Sequence, residues 1–335
     1  MPLLSKEELL ERVCSAIESS GWRAIVLQRE HPFPILVAKE GHAAQRLLVY
    51  IWNITAGGPA GIRPAGEYRI QLTGVASPLR IEPDFQTLLI GWYDDLGVFA
   101  GFEVNRHVTF GYSPSIQIRE NTLGEAGEHG LAFQSRGNNE VAVAFAPDQF
   151  MNYVLQQRPL HLFRRPPEVE LLQTASTGDE PAPEDVETVP RERREVVRTV
   201  TEWSRRRDFR IRVLGAYDHR CALCQIQLEL IEAAHIIPIG APGSNDLTSN
   251  GLALCLIHHG AYDDSLIGVR EDYHVIANRA KLEELQQRNL AAGEQLLRSL
   301  VCSTILLPQR QTDWPRPEFL RDGLRLRGWQ LDQFV

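Results

Sequence analysis

The sequence predicts an α+β chain of two domains, a β-rich N-terminal domain tethered to a smaller C-terminal domain stapled by a metal. Three observations carry this. Short runs between residues 46 and 147 alternate apolar and polar side chains and are bounded by Gly and Pro. The segment 166–190 is acidic, Pro-rich and free of aromatic residues. Three of the five cysteines, Cys221, Cys224 and Cys255, fall close together, with Cys14 and Cys302 outside the group. A length of 335 residues agrees, since domains run at roughly 150 residues each.

The chain opens on a helix. KEELLERVCSAIESSGW places Leu9, Val13 and Ile17 beside Leu10 and Cys14 at helical spacing, and Gly21 ends it. The runs RLLVYIWNIT, EYRIQLTGV, TLLIGWY, GVFAGFEV, SPSIQIRE and EVAVAFAP then read as strands. This predicts a mostly β domain over 1–165. PPEVELLQTASTGDEPAPEDVETVP (166–190) lacks the apolar content to order itself and reads as a flexible linker. The C-terminal domain, 191–335, begins with RERREVVRTVTEWSRRRDFRIRV, in which 9 arginines face 4 acids. Val196, Val197, Val200 and Trp203 give this helix an apolar side. Its arginines, Arg205, Arg206 and Arg207 among them, face either solvent or a phosphate backbone. RAKLEELQQRNLAAGEQLLRSL (279–300) reads as a late helix or helix pair.

The net charge of −8 does not exclude a polyanionic partner. Residues 166–190 hold 7 acids and no base, whereas 1–165 hold 15 basic and 17 acidic residues and 191–335 hold 20 and 19. Local patches decide such binding. The stretch LLIGWYDDLGVFAGF is broken by Asp94 and Asp95, and no apolar run is long enough to span a bilayer. With no basic-then-apolar leader and an odd number of cysteines, the expectation is a cytoplasmic protein with a metal site and no membrane partner.

The ligand-type residues of the C-terminal domain are arranged in two knuckles. Cys221 and Cys224 form C-x-x-C, and Cys255 and His258 form C-x-x-H. Such a thiolate and imidazole set is the usual environment of structural Zn2+. His258 as the fourth ligand leaves its neighbour His259 free. If the residues from about 258 onward are helical, His259 and Asp263 share a face and can hold a second metal together.

CALC, AAHIIP, NGLALCLIHH and AYDDSL resemble the HNH nuclease domain of the ββα-metal group over about residues 209–278. The resemblance implies a general-base histidine, here His235, and an asparagine, here Asn250, that orients that histidine's loop. It also implies that His259 binds a catalytic Mg2+ or Mn2+ ion. Many relatives carry an Asp or His metal ligand immediately before the first histidine, where this chain has Ala234. Asp263 is the first replacement, with Glu232, Asp246 and Asp264 behind it. The chemistry is consistent: a neutral imidazole takes a proton from water, and a divalent ion neutralises the scissile phosphate and the developing oxyanion.

The N-terminal domain reads as a targeting module for double-stranded DNA, modified or not. Arg63, Arg69 and Gln71 (in 55–71) and Ser115, Gln117 and Arg119 (in 113–120) form polar strand faces able to contact phosphates and base edges. Ordinary polar-out patterning of a sheet explains the same residues. A β-rich reader before an HNH domain resembles modification-dependent restriction enzymes, whose readers are SRA/PUA-like or B3-like. That resemblance implies a bacterial defence role and an aromatic wall for a flipped base. Trp52, Trp92 and Tyr93 are available for the wall, although a core role fits them better. A homodimer is an allowed assembly. Two other readings stand beside it: a defence nuclease gated by a small nucleotide signal, and an inactive zinc-stabilised adapter that binds DNA.

Overall fold

In the computed structural model the described residues are 3–56, 66–111, 114–137 and 139–329. Arg63 and Ser113 lie outside them. The chain divides into two compact units, Met1–Ser204 and Arg205–Val335.

The first unit opens with α1 (Lys6–Ser19). Its start is a capping box, in which the Ser5 side chain accepts from Glu8 N and the Glu8 carboxylate accepts from Ser5 N at 2.7 Å. The strands β1 (Arg23–Val26), β2 (Phe33–Ala38), β3 (Gln45–Asn53), β4 (Thr55–Ala56), β5 (Glu67–Gln71), β6 (Gln86–Tyr93), β7 (Val98–Phe102) and β8 (Ser115–Arg119) follow. Then come α2 (Glu120–His129), β9 (Leu131–Arg136), β10 (Glu140–Phe145) and α3 (Phe150–Leu160).

Seven strands form one sheet in the order β1-β2-β3-β6-β7-β10-β9. The pairing of β3 with β6 is parallel, and every other pairing is antiparallel. Both faces are covered, so period-two alternation sends neighbours to different cores. Leu47, Val49 and Ile51 join one apolar cluster, while Leu48, Tyr50 and Trp52 join the other. The first cluster packs α1 and α3 against the sheet. The second packs α2 and the small sheet β4-β5-β8 against it.

The acidic segment 166–190 differs from the flexible linker expected. It forms α4 (Pro166–Ser176) and α5 (Pro183–Glu187). Val169, Leu171, Leu172 and Ala175 of α4 are buried in the first cluster, and so is Val189. Composition averaged over the segment hides this apolar stripe. Burial of each of the larger side chains contributes about 1.5–3 kcal/mol, which offsets part of the cost of ordering the helix. Glu168, 3% exposed, is ion-paired to Arg165 and Arg193, each at 2.7 Å.

The next helix, α6 (Arg191–Ala216), contributes Val196, Val197 and Val200 to the first unit and Phe209 and Val213 to the second. The compact units therefore divide within this helix and not at residues 166–190. The second unit is built on β11 (Ile231–His235), β12 (Gly251–Cys255) and α7 (Leu256–Asp263), a ββα unit with β11 and β12 antiparallel. It continues through β13 (Ile267–Val269), β14 (Val275–Ala277), α8 (Arg279–Gln287), α9 (Glu294–Ser299) and α10 (Pro317–Leu326). The expected late helix is thus the pair α8 and α9.

Candidate active site

The two knuckles converge. Cys221 Sγ lies 3.4 Å from His258 Nδ1, Cys255 Sγ lies 3.3 Å from the same nitrogen, and Cys224 Sγ lies 3.9 Å from Cys255 Sγ. All four ligand atoms are within 4.8 Å of one another. Burial pushes both Cys221 and Cys224 thiols up. At Cys221 the His258 ring and backbone N–H groups outweigh it and bring the thiol down to about 6. At Cys224 burial prevails, reinforced by the adjacent sulfurs, and the thiol is pushed up to about 12. The donor set, three sulfurs and one imidazole, is compatible with zinc.

His235 ends β11, with its side chain 10% exposed. Its ring stacks on Phe209, with centroids 3.7 Å apart and planes 14° apart. His235 Nε2 is 3.0 Å from Asp246 Oδ1. A carboxylate only accepts, so Nε2 carries the hydrogen of this bond. Asn250, fully buried, closes the loop that carries Asp246. Its Oδ1 accepts from Ile237 N at 2.9 Å and its Nδ2 donates to Asn245 O at 2.8 Å. Arg212 of α6 anchors the same loop, donating to Asp246 O at 2.7 Å and to Thr248 Oγ1 at 2.8 Å. Position 251 must be glycine, because a Cβ there would meet Val213 Cγ2 at 2.3 Å and the Phe209 ring at 3.0 Å.

His259 has carboxylates at both nitrogens. Nδ1 is 2.6 Å from Glu232 Oε2 and Nε2 is 3.3 Å from Asp263 Oδ2. The expected pairing of His259 with Asp263 on one helical face is therefore present in α7. Asp263 Oδ1 also accepts from Arg327 Nη2 at 3.2 Å. Glu232 and Asp246, weaker metal candidates in the sequence, contact His259 and His235 respectively. Ala234 is buried opposite Leu252. Arg212 and Arg327 carried no sequence signal, since each is one arginine in a run of several.

In the first unit the β5–β8 register sets Arg69 opposite Gln117, Gln71 opposite Ser115 and Glu67 opposite Arg119. The alternate positions, Ile70, Ile116 and Ile118, are buried. The predicted polar residues thus share one face. Gln117 and Arg119 also line a cleft of about 640 Å3 with Gln134, Ser135 and Arg136. Trp52, Trp92 and Tyr93 are core residues, each under 9% exposed, and form no wall for a base. Arg205, Arg206 and Arg207 lie on α6, and none is without a partner.

Residues 221–270 match the HNH endonuclease family, and residues 45–154 match the family described as Methylase-associated X1. Among solved structures, the chain is similar to a modification-dependent TagI restriction endonuclease. Identity is 14%, with 84% of this chain and 81% of that chain covered and a TM-score of 0.29. A superposition that weak does not establish a common fold. No curated protein matches the chain. Among the described residues no helix is long and apolar enough to cross a membrane.

Proposed function

We propose, from the premise that the second unit carries an HNH endonuclease domain and that the chain is an endonuclease, that it hydrolyses DNA by a one-metal mechanism with His235 as general base. The observation that carries this is the pairing of His235 with Asp246 at 3.0 Å beside a second histidine, His259, held between two carboxylates. Asp246 holds the Nε2 hydrogen, and the Phe209 stack fixes the ring plane. His235 Nδ1 is then the atom that takes the proton of the attacking water. Glu232 accepts from His259 Nδ1–H, which presents Nε2 beside Asp263 Oδ2 as a ligand pair for Mg2+ or Mn2+. When bound, that ion neutralises the scissile phosphate and the developing oxyanion. Zn2+ belongs in the Cys221, Cys224, Cys255 and His258 cluster as a structural ion.

The first unit is the reader of double-stranded DNA in this proposal. Arg69, Gln71, Ser115 and Gln117 on one sheet face, and the cleft reached by Gln117 and Arg119, supply donors for phosphates and base edges. Arg205, Arg206 and Arg207 grip phosphates near the nuclease. A family whose name associates it with methylases suits a restriction system, in which methylation marks DNA for sparing or for attack.

The test is cleavage of methylated and unmethylated plasmid by the full chain with Mg2+ or Mn2+. Cleavage that His235→Ala abolishes, with DNA binding retained, is expected. Cleavage undiminished in His235→Ala removes the base assignment, and identical rates on both plasmids remove the methylation-dependent role.

A further inference from the structure

Arg327 lies just beyond α10, well outside the residues 221–270 that match the HNH family. Its side chain is only 7% exposed. The guanidinium fork joins the two elements that carry the chemistry. Nη2 donates to His235 O at 3.1 Å and Nη1 to Ile236 O at 2.6 Å, at the end of β11. Nη2 also donates to Asp263 Oδ1 at 3.2 Å, at the end of α7. A further bond from Nη1 to Gly323 O, at 3.4 Å, ties the fork to its own helix. The cation lies 4.2 Å from the Tyr262 ring centroid.

The approach of α10 is equally constrained. A Cβ at Gly323 would stand 2.6 Å from Ile236 O, so only glycine lets the helix come this close to the base strand. Ser265 Oγ donates to the Arg327 carbonyl at 3.0 Å, which fixes the backbone there.

We infer that Arg327 is a positioning residue for the nuclease, and that α10 is part of the catalytic apparatus. The inference rests on the reading of His259 and Asp263 as ligands of the catalytic ion. By taking Asp263 Oδ1, Arg327 turns Oδ2 toward His259 Nε2. By holding the carbonyls of His235 and Ile236, it fixes the strand end that carries the base. Arginine suits this task because its planar fork reaches several acceptors at once, whereas lysine offers a point charge.

The experiment measures Mn2+ binding to the full chain by electron paramagnetic resonance, with zinc content, melting temperature and plasmid cleavage recorded on the same samples. The variants are Arg327→Gln, Arg327→Lys and His259→Ala. Arg327→Gln is expected to weaken Mn2+ binding about tenfold or more while zinc content holds at the wild-type value. Arg327→Lys is expected to fall between the two. Folded variants that bind Mn2+ as wild type does overturn the inference. If Arg327→Gln fails to fold, Arg327→Lys decides by the same measure, and unfolding of both reduces Arg327 to a stabilising residue and overturns it too. Failure of the underlying reading looks different: His259→Ala would then leave Mn2+ binding unchanged.

Discussion

Asn250→Ala is the sharpest test of how the loop before β12 serves the base. Asn250 is fully buried and contributes two side-chain hydrogen bonds, from Ile237 N–H and to Asn245 O. Alanine leaves both partners without it. Stranding a buried polar group costs about 1–3 kcal/mol. The Ile237 N–H pays nearer the upper end, because that bond is buried. The Asn245 carbonyl pays less, because its surroundings are only partly buried and water can replace the amide. The sum is about 2–4 kcal/mol, which for a unit of this size lowers the melting temperature by about 8–16 °C. Asp246 moves with the loop, and a displacement of about 1 Å at a catalytic group costs on the order of 100-fold in rate. Calorimetry of the full chain and plasmid cleavage at saturating Mg2+ measure the two effects. Asn250→Asp serves as a control. It keeps the acceptor for Ile237 N–H but sets a carboxylate oxygen against the Asn245 carbonyl, so it too should melt below wild type. A variant Asn250→Ala that melts within about 2 °C of wild type refutes the burial argument, and one that loses stability at full activity refutes the link from loop to base.

Cys255→Ser should release the cluster metal and abolish the melting transition of the second unit while leaving that of the first; one zinc per chain retained after the substitution rules against the four-ligand site. Glu232→Gln should raise the Mg2+ concentration needed for half-maximal cleavage about tenfold with stability unaltered, and an unchanged Mg2+ titration would show that Glu232 does not orient His259. His31 is partly buried and faces Lys6, and burial first, then the Lys6 charge, lower its pKa from the usual 6.5 to about 3. The unfolded chain therefore takes up this proton first. The His31 contribution to stability is fully present above pH 6.5 and falls by about 1.4 kcal/mol per pH unit down to about 3. His31→Gln should flatten melting temperature against pH between 6.5 and 4, and identical slopes would remove His31 as the cause.

The second unit was more legible than the first, for physical reasons. Metal knuckles and the His–Asn–His order are local, so CALC, AAHIIP and NGLALCLIHH carry the ββα unit within 50 residues. The strands of the first unit that were missed, β1, β2 and β9, are short runs such as RAIV and FPILVA. β2 is buried along most of its length and so lacks the clean apolar and polar alternation of a half-exposed strand, while β1, with 4 residues, is too short to display one. The acidic segment misled because charge count and burial are separate quantities: α4 buries Leu172 and Ala175 while keeping its acids outward or, at Glu168, ion-paired. Arg212 and Arg327 were invisible because the contacts that matter are to carbonyls and side chains distant in sequence, Asp246 O and Thr248 Oγ1 for one and His235 O, Ile236 O and Asp263 Oδ1 for the other.

Position 234 carries alanine, and the alternation of β11 decides which of its neighbours share that side. Successive residues of a strand point to opposite faces, so Glu232 and Ala234 share one side and His235 takes the other. Two residues earlier on the same face as position 234, Glu232 meets His259 at 2.6 Å. Its distance from His259 Nδ1 is that of a hydrogen bond, so in the proposed site Glu232 orients His259 and does not itself take the place of the ligand. The rotation of α7 then decides what His259 can do. Cys255 caps the helix and His258 is drawn into the sulfur cluster, while one residue on, about 100° around the axis, His259 is turned to Glu232 and Asp263. The cluster therefore does more than hold a small domain together. By fixing the first turn of α7 it sets the angle at which the second histidine meets its carboxylates, and a cluster emptied of metal should loosen the His259 and Asp263 pair before the unit unfolds.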